Sequence, residues 1–144
     1  MSDSVDIEAL IPHAGTMCLL ERVLYWDAQS IRCAASSHRS PNNPLAVDGW
    51  LGAACAIEYA AQAMALHGGL AGTVGERPRL GYLASVRALT LYRHRLDDLE
   101  DDLIIEAQQL AGEGPRVAYG FTVTSGGAKV AEGRATVLLD AGAA

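Results

Sequence analysis

The stretch Trp50-Leu51-Gly52-Ala53-Ala54-Cys55-Ala56-Ile57-Glu58-Tyr59-Ala60-Ala61-Gln62-Ala63-Met64-Ala65-Leu66-His67 contains one acidic side chain, Glu58, and no Lys or Arg. Alanine, leucine and methionine dominate it, and all three favour helix. Asp48 or Gly49 before it serves as an N-cap, and Gly68-Gly69 after it reads as a stop, so a helix is predicted over 50–67. Its apolar residues cover almost the whole circumference instead of forming a stripe. A helix of that kind is wrapped by other elements. It is also too short for a membrane span of about 20 apolar residues and is interrupted by Glu58 and Gln62, so no membrane association is expected.

Working outward, the flanking segments read as strands. Met17 to Trp26 and Ser30 to Ser37 form a predicted hairpin across Asp27-Ala28-Gln29. After the helix and a Gly-rich connection come Leu80 to Leu91, Leu103 to Leu110, Val117 to Thr124 and Val130 to Leu139. Ser125-Gly126-Gly127 supplies a tight turn between the last two. The run 97–102 is too acidic to be buried and reads as an exposed turn. The expected architecture is α+β, one antiparallel sheet wrapped around one long central helix, with residues 1–144 as a single domain. Free sheet edges then favour edge-to-edge dimerisation.

Composition narrows the function. A net charge of −6 argues against general nucleic-acid binding. Ten of the eleven basic side chains are arginines, suited to gripping phosphate or carboxylate. Cys18, Cys33 and Cys55 show neither metal-ligand spacing nor a paired pattern, so no metal is expected and a reducing cytoplasm is.

Glu58 and Gln62 stand four residues apart, on one helical face. Apolar flanks predict that Glu58 is desolvated, which raises a carboxyl pKa toward the range useful for general acid work. The Gln62 amide is placed to hold it in one rotamer. The competing reading is a wet Glu58 on a helix face at a dimer seam.

Three segments together resemble the hotdog-fold 3-hydroxyacyl-ACP dehydratases: Leu10-Ile11-Pro12-His13 followed by Met17 to Leu24, Ile57 to Ala63, and Gly81 to Arg87. With the C-terminal hairpin, the resemblance covers nearly the whole chain. The better-known members place a histidine fourteen residues before the helix glutamate, where this chain has Pro44. The sequence is more similar to a divergent subgroup that includes the predicted dehydratases of aryl-polyene pathways, which keep the Leu-Pro-His loop and the Glu helix.

That resemblance implies dehydration of a 3-hydroxyacyl thioester on acyl carrier protein, in fatty acid or polyene-type biosynthesis, without a cofactor. His13 is its implied general base and Glu58 its general acid. His38 is the rival base, His67 is expected to face the helix dipole, and His94 is expected to be exposed. Helix N-terminal amides around Gly49, Trp50 and Gly52 would bind the thioester oxygen beside Gln62. Arg77, Arg79 and Arg87, clustered in sequence with Arg93 and Arg95, would meet the phosphopantetheine phosphate and an acidic carrier. The expected partner is a second hotdog subunit, as a homodimer or a heterodimer. Two other readings stand beside this one: a thioesterase of the same fold, and a non-catalytic partner that stabilises an active subunit.

Overall fold

The structure is a computed structural model that describes residues 6–11, 15–71, 81–113 and 115–139. The strands are β1 (Arg22–Trp26), β2 (Ser30–Ala35), β3 (Gly81–Leu91), β4 (Leu103–Glu113), β5 (Arg116–Ser125) and β6 (Ala128–Leu139); the helix is α1 (Ala56–Ala71). The strands form one six-stranded sheet in the order β1-β2-β4-β5-β6-β3, with every neighbouring pair antiparallel. The two edges are therefore β1 and β3.

Alternation along the strands aims one face at the helix. Ile31 and Cys33 of β2, Leu103 and Ile105 of β4, Tyr119, Phe121 and Val123 of β5, and Val137 of β6 are all buried. They pack around α1, of which twelve of sixteen residues are buried, the wrapping that an all-round apolar helix requires. Alanines 56, 60 and 63 are fully buried and let the sheet come close to the helix backbone. Among the described residues, no helix is long and apolar enough to cross a membrane.

Two helix boundaries differ from expectation. Asp48 and Gly49 do not cap the helix; both have positive φ (52° and 77°) and make a two-residue turn in which Val47 and Trp50 bridge. That is the backbone an Asp-Gly pair favours in tight hairpins. A 3-10 turn (Ala53–Cys55), with Gly52 at its N-cap, then leads into α1. At the other end α1 runs through Gly68-Gly69 to Ala71. Gly69 serves close approach instead of termination: a Cβ there would lie 3.2 Å from the Leu10 carbonyl oxygen.

The turn at Gly126-Gly127 is as expected, both glycines having positive φ between the paired Ser125 and Ala128. The acidic turn after β3 exposes Asp98, Glu100 and Asp101. It is nonetheless tied down. His38 Nε2 meets the Leu99 carbonyl at 3.0 Å, Arg39 pairs with Asp102 at 2.7 Å, and Ser125 Oγ donates to the Asp101 carbonyl at 3.0 Å.

Candidate active site

Glu58 lies in the first turn of α1 and its side chain is exposed. The burial predicted from its apolar neighbours is not supplied by this chain. The cause lies in the sheet, which leaves one strip of the helix N-terminal end uncovered: Ala54 and Glu58 are exposed, and Cys55, Ile57 and Ala61 half-buried. The carboxylate thus stands on an outward strip of small and apolar side chains.

Gln62 does not hold Glu58. It is buried at 1% exposure; its Nε2 donates to the Met17 carbonyl at 2.7 Å and its Oε1 accepts the Leu19 amide at 2.8 Å. Four residues of separation put the pair on adjacent turns, but the tertiary packing turns Gln62 inward. Its amide therefore fixes the segment that follows residues 12–14. His13 itself, with Arg77 and Arg79, lies outside the described residues.

Beside Gln62, Tyr59 anchors the loop before the helix. Its buried hydroxyl lies 2.7 Å from Ser37 Oγ and accepts from Asn43 Nδ2 at 3.2 Å, while Ser37 Oγ donates to the Leu19 carbonyl at 2.8 Å. Burial raises the Tyr59 pKa, so the phenol stays a neutral structural bridge.

The proposed oxyanion amides are partly taken. Trp50 N–H donates to the Val47 carbonyl and Leu51 N–H to Asp97 Oδ1, both at 2.9 Å, and Ala53 N–H to the His94 carbonyl at 3.0 Å. Gly52 and Arg95 face each other as a wide antiparallel pair, so the Gly52 amide points away from that bridge. Among the described residues, Gly52 and Ala54 N–H have no acceptor. They border an open depression of about 520 Å³ lined also by Leu91, Tyr92, Arg93 and His94. Ala54 precedes Glu58 by one turn on the same exposed face. Free amides and carboxylate are thereby brought to one end of the molecule.

Trp50 forms part of this end. Its ring is half-exposed, with the Arg95 guanidinium 3.9 Å from its centroid. Arg95 also forks onto Asp97, whose carboxyl it holds down at about 2. Asp97 in turn accepts the Leu51 amide, so three side chains hold the entry to α1. Tyr92 is also half-exposed.

The described histidines separate clearly. His38 is buried with Nε2 on Leu99, and burial pulls its pKa down. His67 does not face the helix dipole: it is 1% exposed, with Nδ1 2.7 Å from the Tyr119 hydroxyl and Nε2 2.9 Å from the Asp27 carbonyl. A carbonyl only accepts, so Nε2 carries the proton and Nδ1 accepts from Tyr119. His94 is exposed, as expected, and it lines the depression beside Ala54. Sequence reading passed it over because only the Gly52–Arg95 bridge brings residue 94 to the helix entry.

Of the described arginines, Arg87 and Arg95 do not share one patch. Arg95 faces Trp50 and Asp97, whereas Arg87 sits on the outward face of β3, opposite Arg134 of β6. Cys33 is buried, which pushes its thiol up to about 12, while Cys18 and Cys55 are half-buried.

The chain is similar in structure to the dehydratase heterocomplex ApeI:P from Xenorhabdus doucetiae, with TM-score 0.84 and 22% identity over 96% of this chain and 93% of that one. It also resembles a hypothetical thioesterase crystallised with coenzyme A from Streptococcus pneumoniae (TM-score 0.61, 13% identity, covering 83% and 84%). A sigma28-regulated virulence protein from Campylobacter jejuni aligns with TM-score 0.61 and 17% identity over 94% and 88%. These likenesses establish the hotdog fold. No curated protein matches the sequence. The model of the ApeP dehydratase family matches residues 5–142, and the chain therefore belongs to the ApeP-like dehydratases.

Proposed function

We propose that this chain removes water from a 3-hydroxyacyl thioester held on acyl carrier protein, giving the trans-2-enoyl thioester. The observation that carries this reading is the placement of Glu58 on the outward strip of α1, one turn beyond Ala54 and the free amides. A general base takes a proton from the carbon beside the thioester carbonyl. The C3–O bond breaks, and protonated Glu58 supplies the proton with which hydroxide leaves as water. Gly52 and Ala54 N–H are placed to stabilise the enolate oxygen between these events. No electrons are transferred, so no redox cofactor enters the balance.

His13 is the proposed base. A second reading assigns the base to His94, because it lines the same depression. The strip around Glu58 needs cover to exclude water, and a second hotdog subunit, identical or not, is its proposed source. Strand β3 suits that role: it is a long edge with Leu83, Leu89 and Leu91 each more than a third exposed.

The test is incubation of the purified chain, alone and in its native assembly, with a 3-hydroxyacyl thioester. Conjugated enoyl absorbance supports dehydration, and release of free thiol supports the thioesterase alternative. Loss of turnover in Glu58→Gln, with His13→Ala and His94→Ala distinguishing the base, would complete the assignment. Unchanged activity of the assembly in all three variants would favour the non-catalytic partner role.

A further inference from the structure

Trp50 carries a side-chain donor that the fold holds in place and leaves unused. Its main chain is engaged on both sides: its N–H donates to the Val47 carbonyl and its carbonyl accepts the Val47 N–H, each at 2.9 Å. Its ring lies 3.9 Å from the Arg95 guanidinium. Arg95 Nε donates to Asp97 Oδ1 at 2.9 Å, and the same oxygen accepts the Leu51 N–H at 2.9 Å. The ring is therefore oriented by a chain of contacts that ends in the backbone. Among the described residues its Nε1–H has no acceptor.

That nitrogen lies over Gly52, a glycine that the backbone does not require. A φ of −65° with ψ of 149° is open to any L residue. Packing does not require it either. Among the described residues beyond its chain neighbours, a Cβ at position 52 would have one heavy atom within 4 Å, Trp50 Nε1 at 3.9 Å, an ordinary contact. Gly52 is nonetheless the N-cap of the turn that enters α1. A Ser, Thr, Asp or Asn side chain there would accept the N–H two or three residues on. The third, Cys55, already donates to the Gly52 carbonyl at 3.0 Å; the second, Ala54, has no acceptor among the described residues. The missing side chain thus leaves two donors, Ala54 N–H and Trp50 Nε1–H, beside one vacant place.

We propose that Trp50 is a further catalytic residue, whose Nε1–H acts with Ala54 N–H on the thioester oxygen of the substrate. That oxygen takes the place of the absent cap side chain at position 52. The inference rests on the dehydration reading above and adds a side-chain donor to it. An indole N–H only donates, which suits an oxygen that is an acceptor as carbonyl and as enolate. Both donors are neutral and fixed before substrate arrives, so their hydrogen bonds strengthen as charge develops on the oxygen.

Enoyl formation by the native assembly, followed against 3-hydroxyacyl thioester concentration, tests this with two variants. Trp50→Phe keeps a ring beside Arg95 and removes the N–H. Its kcat is expected to fall at least tenfold with KM within twofold of wild type and an unchanged circular dichroism spectrum. Gly52→Ser supplies the missing cap and restricts the unfolded chain. Its unfolding midpoint is expected to rise by about 1–4 °C while its kcat falls at least tenfold. A residue that only supports the fold would not gain stability and lose turnover in one variant. Wild-type kcat in either folded variant would overturn the proposal, as would a change confined to KM, which puts the indole on another part of the substrate. A lowered midpoint for Gly52→Ser would also overturn it, because the cap place would not be vacant. Should Trp50→Phe not fold, Gly52→Ser decides alone. Absence of enoyl product from the wild-type assembly would instead overturn the dehydration reading itself.

Discussion

Gln62 and Met17, forty-five residues apart, are joined by a 2.7 Å hydrogen bond from the Gln62 side-chain amide to the Met17 carbonyl. The same side chain accepts the Leu19 amide, so one buried glutamine satisfies two backbone groups of an otherwise irregular segment. Such segments carry polar groups that only water or a side chain can pair.

Gln62→Ala is expected to strand both backbone groups and to cost about 2–4 kcal/mol of stability, at 1–3 kcal/mol for each unsatisfied group less some entry of water. Urea denaturation would measure it. If the midpoint moves by less than a tenth of that amount, the clamp is not structural.

Glu58→Gln should behave in the opposite way. The side chain is exposed and belongs to no ion pair among the described residues, so its unfolding midpoint should match wild type. Turnover by the native assembly should fall by roughly a hundredfold or more, the range that one positioned proton donor supplies. A large loss of stability would mean that Glu58 supports the fold and that the kinetic result cannot be assigned to chemistry.

Stability should decline as pH falls from 7.5 to 5.5. Burial holds the His67 and His38 pKa values below the ordinary histidine value of about 6.5. The unfolded chain therefore binds protons that the folded chain refuses. Their contribution is complete above the unfolded value and is lost as pH drops toward the folded ones. Asp27 and Asp97, both lowered to about 2, act with the same sign but only below about pH 4. His67→Gln should flatten part of the slope between pH 7.5 and 5.5 in denaturation curves, leaving the share due to His38. An unchanged slope would remove His67 from the account.

Gly133→Ala should cost about 1–3 kcal/mol, the usual range for forcing an extra carbon into a packed site. A Cβ there would meet Phe121 Cζ at 3.0 Å and the Arg87 carbonyl oxygen at 3.3 Å. Across this contact Ala88 adopts a positive φ of 53°, within the interruption of the β3–β6 register. Ala88→Gly should relieve that backbone and raise stability by up to about 1 kcal/mol, partly offset by the entropy of glycine. Thermal melts of the two variants should shift in opposite directions.

Much of the architecture is legible in local pattern. An apolar circumference from Ala56 to Leu70 demands a wrapping sheet, and Gly126-Gly127 demands a tight turn, whatever else the chain does. The helix ends are less legible because Gly68 and Gly69 have two possible uses, and the choice depends on Leu10, which packs against Gly69 from far away in sequence. For the candidate site, Glu58 stands out as the single carboxylate of its helix. Its exposure does not, because that depends on which strip of α1 the sheet leaves open.

The sequence by itself determined that one long helix is wrapped by antiparallel strands, and that a carboxylate stands on that helix. Both follow from short-range periodicity and from the rarity of charge in an apolar run. Only the tertiary structure decided that Gln62 turns away from Glu58 to hold Met17 and Leu19, that Gly52 and Ala54 keep free amides beside it, and that Arg87 meets Arg134. Those relationships join residues far apart in the chain, and their geometry is set by strand order and register, which local pattern does not encode.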